Sequence, residues 1–184
     1  LENMEDSSPS AVKSKLEKYQ KMQEKGTIYS NLKFLLDCKT AEYFGLDIPV
    51  IGDFKAKIGD SLDFFSDEKW INVQNFSSKT KFFHWDLEFP DIFYDENGDK
   101  RNDGGFDIVL GNPPYGNSIP KEQRNILKNI LTTLDGEEGS FNASSVFLES
   151  VKKLIHSDGY LSFIIPNSIS RAKEFKKIRD FLIT

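Results

Sequence analysis

The sequence predicts an α/β fold in which helices cover the faces of a partial parallel sheet, with a helical extension before it. Two short apolar runs, residues 106–111 and 160–165, each end at turn-forming residues, as buried parallel strands do. Apolar residues at helical spacing fill much of the chain between these runs and continue after the second one. This order of strand, helix, strand and helix predicts half of a doubly wound sheet.

The composition indicates a folded chain with a real hydrophobic core. Its 184 residues are 38% hydrophobic and include 16 Phe, which suits one domain or one domain with an extension. The net charge of -5 is unlike the basic surface of a protein that binds DNA by itself, so any DNA contact must be local or supplied elsewhere. The single cysteine, Cys38, excludes an internal disulfide and suggests a reducing compartment. His84 and His156 lie far apart with no second cysteine, so no zinc pattern is present, and no apolar run is long enough to span a membrane.

The first part of the chain predicts mainly helices. Apolar residues recur every three or four positions over residues 10–25, and a second helix of similar length is capped by Ser30 or Asn31. We expect residues 1–80 to form a mixed, mostly helical extension and residues 81–184 to form the α/β part.

The middle of the chain is less regular. Residues 69–73 predict a strand and residues 75–81 a polar loop. Residues 82–93 alternate aromatic and polar side chains before a proline, which by composition predicts an edge strand. Within this run His84 is either a hydrogen-bonded core residue or a catalytic base.

Three helices are predicted after residue 116. The first covers residues 121–134. The second begins at Asn142 or Ser144 and ends at residues 157–159, and the last begins at about residue 171.

A short loop follows the first strand and organises the rest of the α/β part. Asn112, Pro113, Pro114 and Tyr115 come directly after Gly111. The two prolines remove two N–H donors and fix two φ angles, so Asn112 and Tyr115 must lie on a rigid loop. In open α/β sheets, ligands bind at the carboxyl ends of the strands. The alternative is a proline-rich turn with no chemistry.

The sequence resembles a known enzyme family at three places. Asn-Pro-Pro-Tyr, directly after Phe-Asp-Ile-Val-Leu-Gly, is similar to the catalytic motif of DNA methyltransferases that methylate amino groups, in its N6-adenine form. Residues 82–93 resemble the segment before that motif in large single-chain (type IIG) restriction–modification enzymes, where we assign it a packing role. Residues 145–168 resemble the next two motifs. The resemblance implies a partial Rossmann-like sheet of the class I S-adenosylmethionine-dependent kind and a prokaryotic, cytoplasmic enzyme.

The same resemblance implies roles for individual residues. The Asn112 side-chain oxygen accepts one N–H of an adenine flipped out of double-stranded DNA, and the Pro113 carbonyl accepts the other. Pro113 and Pro114 keep these acceptors rigid, and Tyr115 stacks on the base. No metal is required. S-adenosylmethionine is the implied methyl donor, with Asn112 and Asp60 as candidate contacts, although Asp60 is equally well explained as a turn residue that caps the next segment.

The sequence departs from this family in one respect. We find no Gly-x-Gly turn of the kind that binds the donor, so we expect that motif upstream of residue 1 and a DNA-recognition domain beyond Thr184. We therefore expect a fragment, or a degenerate remnant, that cannot methylate DNA alone. Cytosine-N4, RNA and protein-glutamine methylation stay open as alternatives, as does a non-catalytic domain that binds a partner subunit.

Overall fold

The structure is a computed structural model that describes residues 8–48, 68–116, 119–134 and 141–183. The chain forms two compact units, Leu1–Glu88 and Phe89–Thr184. The division after residue 80 into an extension and an α/β part stays a prediction, because compactness alone assigns no role to either unit.

The first unit is helical in its described residues. Its helices are α1 (Pro9–Met22), α2 (Ile28–Tyr43), α3 (Glu68–Thr80) and α4 (Trp85–Glu88). The two helices predicted at the start of the chain are confirmed, but the predicted cap of the second one is wrong. Thr27 caps α2, because its hydroxyl accepts the Ser30 N–H at 3.1 Å.

Helix α3 replaces the strand and the polar loop that residues 69–81 predicted. Trp70, Val73 and Ser77 are buried along one face of this helix, at the three- and four-residue spacing that a helix requires. Trp70 and Val73 pack with Phe34 and Cys38 of α2 in one hydrophobic cluster. The strand propensity of Trp, Ile and Val is therefore overridden by packing against α2.

The aromatic run 82–93 is not an edge strand, so that prediction is wrong as well. It forms α4 and the short helix α5 (Pro90–Phe93), with a proline at the first position of α5, where a missing N–H has no cost. The rings of Phe89 and Phe93 meet the ring of Phe106 edge-on, at 5.3 and 5.7 Å between centroids. The end of the run therefore packs against the first residue of the following strand.

In the described part of the second unit, β1 (Phe106–Gly111) and β2 (Ile155–Phe163) pair in parallel and form a sheet. The prediction of β1 is confirmed, whereas β2 begins earlier than predicted. The expected break at residues 157–159 lies inside β2, where the register between the strands is irregular. A Cβ on Gly159 would lie 2.8 Å from the Phe106 carbonyl oxygen, so this irregularity requires glycine.

Helices connect and follow the strands. They are α6 (Lys121–Ile130), α7 (Ala143–Lys152), α8 (Ser168–Arg171), a 3-10 turn (Lys173–Phe175) and α9 (Lys176–Ile183). The α7 cap is Asn142, one of the two predicted residues, and its side chain accepts the Ser144 N–H. The single last helix predicted from residue 171 is instead divided, because Ala172 is extended (φ -73°, ψ 145°).

Among the described residues, helices cover one face of the sheet only, which corrects the prediction that both strands are buried. Leu161 and Phe163 of β2 pack on a buried cluster from α7, α8, the 3-10 turn and α9 (Leu148, Ile169, Phe175, Ile178). On the other face the side chains of Ile108, Leu110 and Tyr160 are 61%, 74% and 75% exposed. The described residues thus form a mixed α/β fold with a two-stranded parallel sheet, which confirms the α/β class.

Candidate active site at the end of strand β1

The loop after β1 begins at a point that the sheet holds firmly. Gly111 pairs with Phe163, and the Ile164 N–H donates to the Gly111 carbonyl at 3.0 Å. A Cβ on Gly111 would lie 2.7 Å from the Phe163 ring, so glycine lets the two strands stay paired to the end of β1. The residue that follows, Asn112, therefore leaves the carboxyl edge of the sheet from a defined position.

Asn112 and Tyr115 lie side by side on this loop. Both residues are exposed, Tyr115 by 51%, and the Tyr115 hydroxyl donates to Asn112 Oδ1 at 3.2 Å. The loop thus presents an amide oxygen that accepts hydrogen bonds and an aromatic ring that can stack. These two groups suit a flat ligand with an N–H donor at its edge.

The prolines and the first turn of α7 restrain the loop. Pro113 is buried, and neither proline has an N–H to compete for the acceptors. The Ser144 hydroxyl donates to the Pro114 carbonyl at 3.1 Å, and the Ala143 N–H donates to the Gly116 carbonyl at 3.0 Å. The loop is therefore anchored at one end by the sheet and at the other by the first turn of α7.

A family model matches nearly the whole chain. Residues 12–184 match the model described as Eco57I restriction-modification methylase. The chain belongs to the Eco57I restriction-modification methylase family. The resemblance to restriction–modification methyltransferases predicted from Asn112–Tyr115 and its flanking segments is thus confirmed.

Several curated proteins are similar to this member of the Eco57I family. A putative type II restriction enzyme and methyltransferase of Methanocaldococcus jannaschii is 34% identical over 106 residues, which is 58% of this chain and 8% of that protein. A type II methyltransferase of Thermus thermophilus is 31% identical over 83 residues (42% of this chain, 19% of that protein). One of Vibrio sp. (strain 343) is 26% identical over 74 residues (40% and 17%). The chain thus aligns with less than a fifth of the length of each of these relatives. No solved structure matches it significantly.

The structure brings together four of the five site residues predicted for this Eco57I-family chain. Asn112, Pro113, Pro114 and Tyr115 form the loop at the end of β1, while Asp60 lies outside the described residues. The assignment of catalytic and cofactor contacts to these residues stays a prediction. Within the described ranges, no group of three or more His, Cys, Asp or Glu side chains could hold a metal ion, and no helix is long and apolar enough to cross a membrane.

Sequence reasoning missed the residues that support the loop. Ser144 was predicted only as a possible cap of α7, and no role was predicted for Glu149. Glu149 is 1% exposed, and its carboxylate accepts four hydrogen bonds, from the N–H and the hydroxyl of both Thr132 and Thr133. Burial alone raises the pKa of Glu149, but these hydrogen bonds outweigh it and hold the pKa below its usual range. An ionised Glu149 thus fastens α7 to the turn after α6.

The first unit contains a separate polar cluster around Asp37. The Asp37 carboxylate lies 2.7 Å from His84 Nε2 and 2.9 Å from Lys33 Nζ. Burial alone raises the pKa of Asp37, but the hydrogen bonds from His84 and Lys33 lower it below its usual range. The carboxylate therefore accepts and the imidazole donates, so His84 is hydrogen-bonded, as the first of its two predicted roles requires.

Proposed function

We propose that this chain is the base-binding part of a DNA methyltransferase that methylates the N6 amine of adenine within a restriction–modification system. The observation that supports the proposal is the pairing of Asn112 and Tyr115. They place an acceptor oxygen beside an exposed ring on a rigid loop at the carboxyl end of a parallel strand, in a chain of the Eco57I family.

The proposed chemistry depends on the two acceptors. The lone pair of the adenine amine is delocalised into the ring, so the amine is a poor nucleophile. An acceptor on each N–H localises this lone pair as the methyl group arrives. Asn112 Oδ1 takes one N–H and the Pro113 carbonyl takes the other, and the prolines keep both from reorganising.

Without a ligand, the acceptor atom of Asn112 already takes part in a hydrogen bond within the loop. The Tyr115 hydroxyl donates to Asn112 Oδ1, so an entering adenine amine must replace that hydroxyl. The exchange is one donor for another, and the contact is exposed to water. The cost of opening the site is therefore small.

Tyr115 holds the base in this proposal. The reacting nitrogen is inaccessible inside a duplex, so the adenine must first be flipped out of double-stranded DNA. A flipped base that stacks on the exposed Tyr115 ring gains about 1–3 kcal/mol, which offsets part of the unstacking cost.

The methyl donor of the proposed enzyme is S-adenosylmethionine, which supplies a methyl group bound to a positively charged sulfur. The described residues do not make a complete site for it. Asn112 is exposed at the strand end, but Asp60 lies outside the described residues and the sequence has no Gly-x-Gly turn. We therefore assign to this chain the binding and orientation of the base only.

The fold and location belong to the same proposal. We propose that β1 and β2 are part of a Rossmann-like sheet. The parallel pairing, the intervening helices and the exposed apolar face formed by Ile108, Leu110 and Tyr160 support this, since such sheets carry helices on both faces. The proposed location is the prokaryotic cytoplasm.

The test is to express the protein from its natural gene in a host that lacks DNA methylation. Genomic DNA is then digested to nucleosides and its methylated bases are measured by mass spectrometry. We expect N6-methyladenine, absent with Asn112→Ala and retained with Asn125→Ala, a matched change at an exposed position of α6.

Three results would contradict the proposal. N4-methylcytosine in place of N6-methyladenine would overturn the choice of base. Full methylation with Asn112→Ala would overturn the role of the loop. No methylated base with the unchanged protein would favour a non-catalytic interaction domain.

A further inference from the structure

The first turn of α7 touches the acceptor loop at one particular peptide group. Ser144 is fully buried, and its hydroxyl donates to the Pro114 carbonyl at 3.1 Å. That carbonyl and the Tyr115 N–H belong to the same planar peptide unit. We propose that Ser144 is a positioning residue that orients Tyr115 through this peptide unit, without touching the base itself. The inference rests on the proposed function of the loop.

The Pro114–Tyr115 peptide unit keeps a freedom of rotation that neither the sheet nor the proline rings remove. The sheet holds the Gly111 carbonyl through the Ile164 N–H, and each proline has a fixed φ. The orientation of the Pro114–Tyr115 peptide still depends on the ψ angle of Pro114. The hydrogen bond from Ser144 fixes that angle and hence the direction in which the Tyr115 ring leaves the loop.

Ser144 can do this because its own position is fixed. Asn142 Oδ1 accepts the Ser144 N–H at 2.9 Å, and the next N–H along, that of Ser145, donates to the Asn142 carbonyl. Glu149 fastens the same helix to Thr132 and Thr133. The hydroxyl of Ser144 is therefore presented from a rigid helix start, and the loop adapts to it.

Ser145, the residue after Ser144, provides a matched control. Ser145 is also buried, at 1% exposure, and its hydroxyl has no hydrogen-bond partner among the residues that the structure describes. Ser144→Ala and Ser145→Ala thus remove the same atom from adjacent positions of one helix. Only the first removes a hydrogen bond to the loop.

The kinetic test uses the enzyme expressed from its natural gene, with labelled S-adenosylmethionine and unmethylated genomic DNA. Active sites are counted by the binding stoichiometry of S-adenosylmethionine. For Ser144→Ala we expect about five-fold lower kcat per active site and an unchanged KM for S-adenosylmethionine, because one buried neutral hydrogen bond is lost. For Ser145→Ala we expect no change in either quantity.

A double-mutant cycle separates positioning from a general structural effect. In a Tyr115→Ala background there is no ring to orient, so we expect Ser144→Ala to lower kcat less than about two-fold. An equal loss in both backgrounds, no loss at all, or the same loss with Ser145→Ala would overturn the inference. If Ser144→Ala does not fold, Ser144→Cys, which is nearly isosteric but a weak donor, takes its place.

A crystal structure of the Ser144→Ala protein tests the inference without any activity. We expect the contact between the Tyr115 hydroxyl and Asn112 Oδ1 to be lost in Ser144→Ala and kept in Ser145→Ala. An intact contact in Ser144→Ala would refute the positioning role. If Asn112→Ala leaves methylation intact, the proposed function fails, whereas the crystal structures still decide the role of Ser144.

Discussion

Replacing Glu149 by alanine removes the acceptor of four hydrogen bonds at once. The donors are the N–H and the hydroxyl of Thr132 and of Thr133, at distances from 2.5 to 3.0 Å. All four bonds connect α7 to the turn after α6. We expect this single change to loosen the attachment of α7 and, through it, the loop that the first turn of α7 supports.

The expected loss in the free energy of unfolding depends on which of the four donors are buried. Thr132 is exposed, so water can take over its two donors. Thr133 is 6% exposed, so its N–H and hydroxyl stay buried without an acceptor. Two such groups, at about 1–3 kcal/mol each, predict a loss of about 3 kcal/mol in the free energy of unfolding. Glu149→Gln keeps one carbonyl acceptor, and we expect about half of that loss.

Urea denaturation followed by circular dichroism measures this loss. The control is Glu122→Ala, which removes an exposed carboxylate from α6 and should change the free energy of unfolding by less than about 0.5 kcal/mol. If Glu149→Ala destabilised the protein no more than the control, the hydrogen-bonded carboxylate would not be what holds α7.

The lowered pKa of Glu149 adds a pH dependence to this prediction. A carboxylate whose pKa is lowered by folding stabilises the protein above its unfolded pKa, and that stability is lost as the pH falls through the folded pKa. The unchanged protein should therefore lose stability below about pH 4. Glu149→Gln should lose less over the same range, and an identical pH profile would contradict the assignment.

Three further predictions concern Tyr115 and the Asp37 cluster. Tyr115→Phe keeps the ring but frees Asn112 Oδ1, so we expect a methylation rate within about three-fold of that of the unchanged enzyme. Tyr115→Ala removes the ring, and we expect the rate to fall about ten-fold or more. Equal losses in the two variants would show that the hydroxyl and not the ring is needed. His84→Ala removes the 2.7 Å hydrogen bond to a buried carboxylate, and urea denaturation should show a loss of about 2 kcal/mol. The stability that ionised Asp37 contributes should also be lost below about pH 4, since its pKa is lowered by folding, and no loss on acidification would argue against the cluster.

Elements with strong local signals were predicted correctly. The β1 strand is an apolar run that ends at glycine, and Asn112 to Tyr115 follow with two prolines whose restrictions are local. The Asn142 cap of α7 is equally local, because its side chain bonds to an N–H two residues away.

The secondary structure or burial of other segments depended on the surfaces against which they pack. Residues 69–73 have strand-forming side chains, yet α2 provides a surface that fits Trp70 and Val73 at helical spacing. The sheet was predicted to be buried because residues 106–111 and 160–165 are largely apolar, whereas in the part of the chain that the structure describes only the Leu161 face is covered by helices. A single sequence shows which side chains are apolar but not which surface of the protein packs on them.

By itself, the sequence determined the strand, the rigid loop after it and the family resemblance of Asn112 to Tyr115, since all of these depend on neighbouring residues. Only the tertiary structure showed what holds that loop. Ser144 is 30 residues from Pro114, Glu149 is 17 residues from Thr132, and His84 is 47 residues from Asp37. Hydrogen bonds over such separations leave no periodic pattern in one sequence, because they form only when the packed helices and strands bring the two partners together.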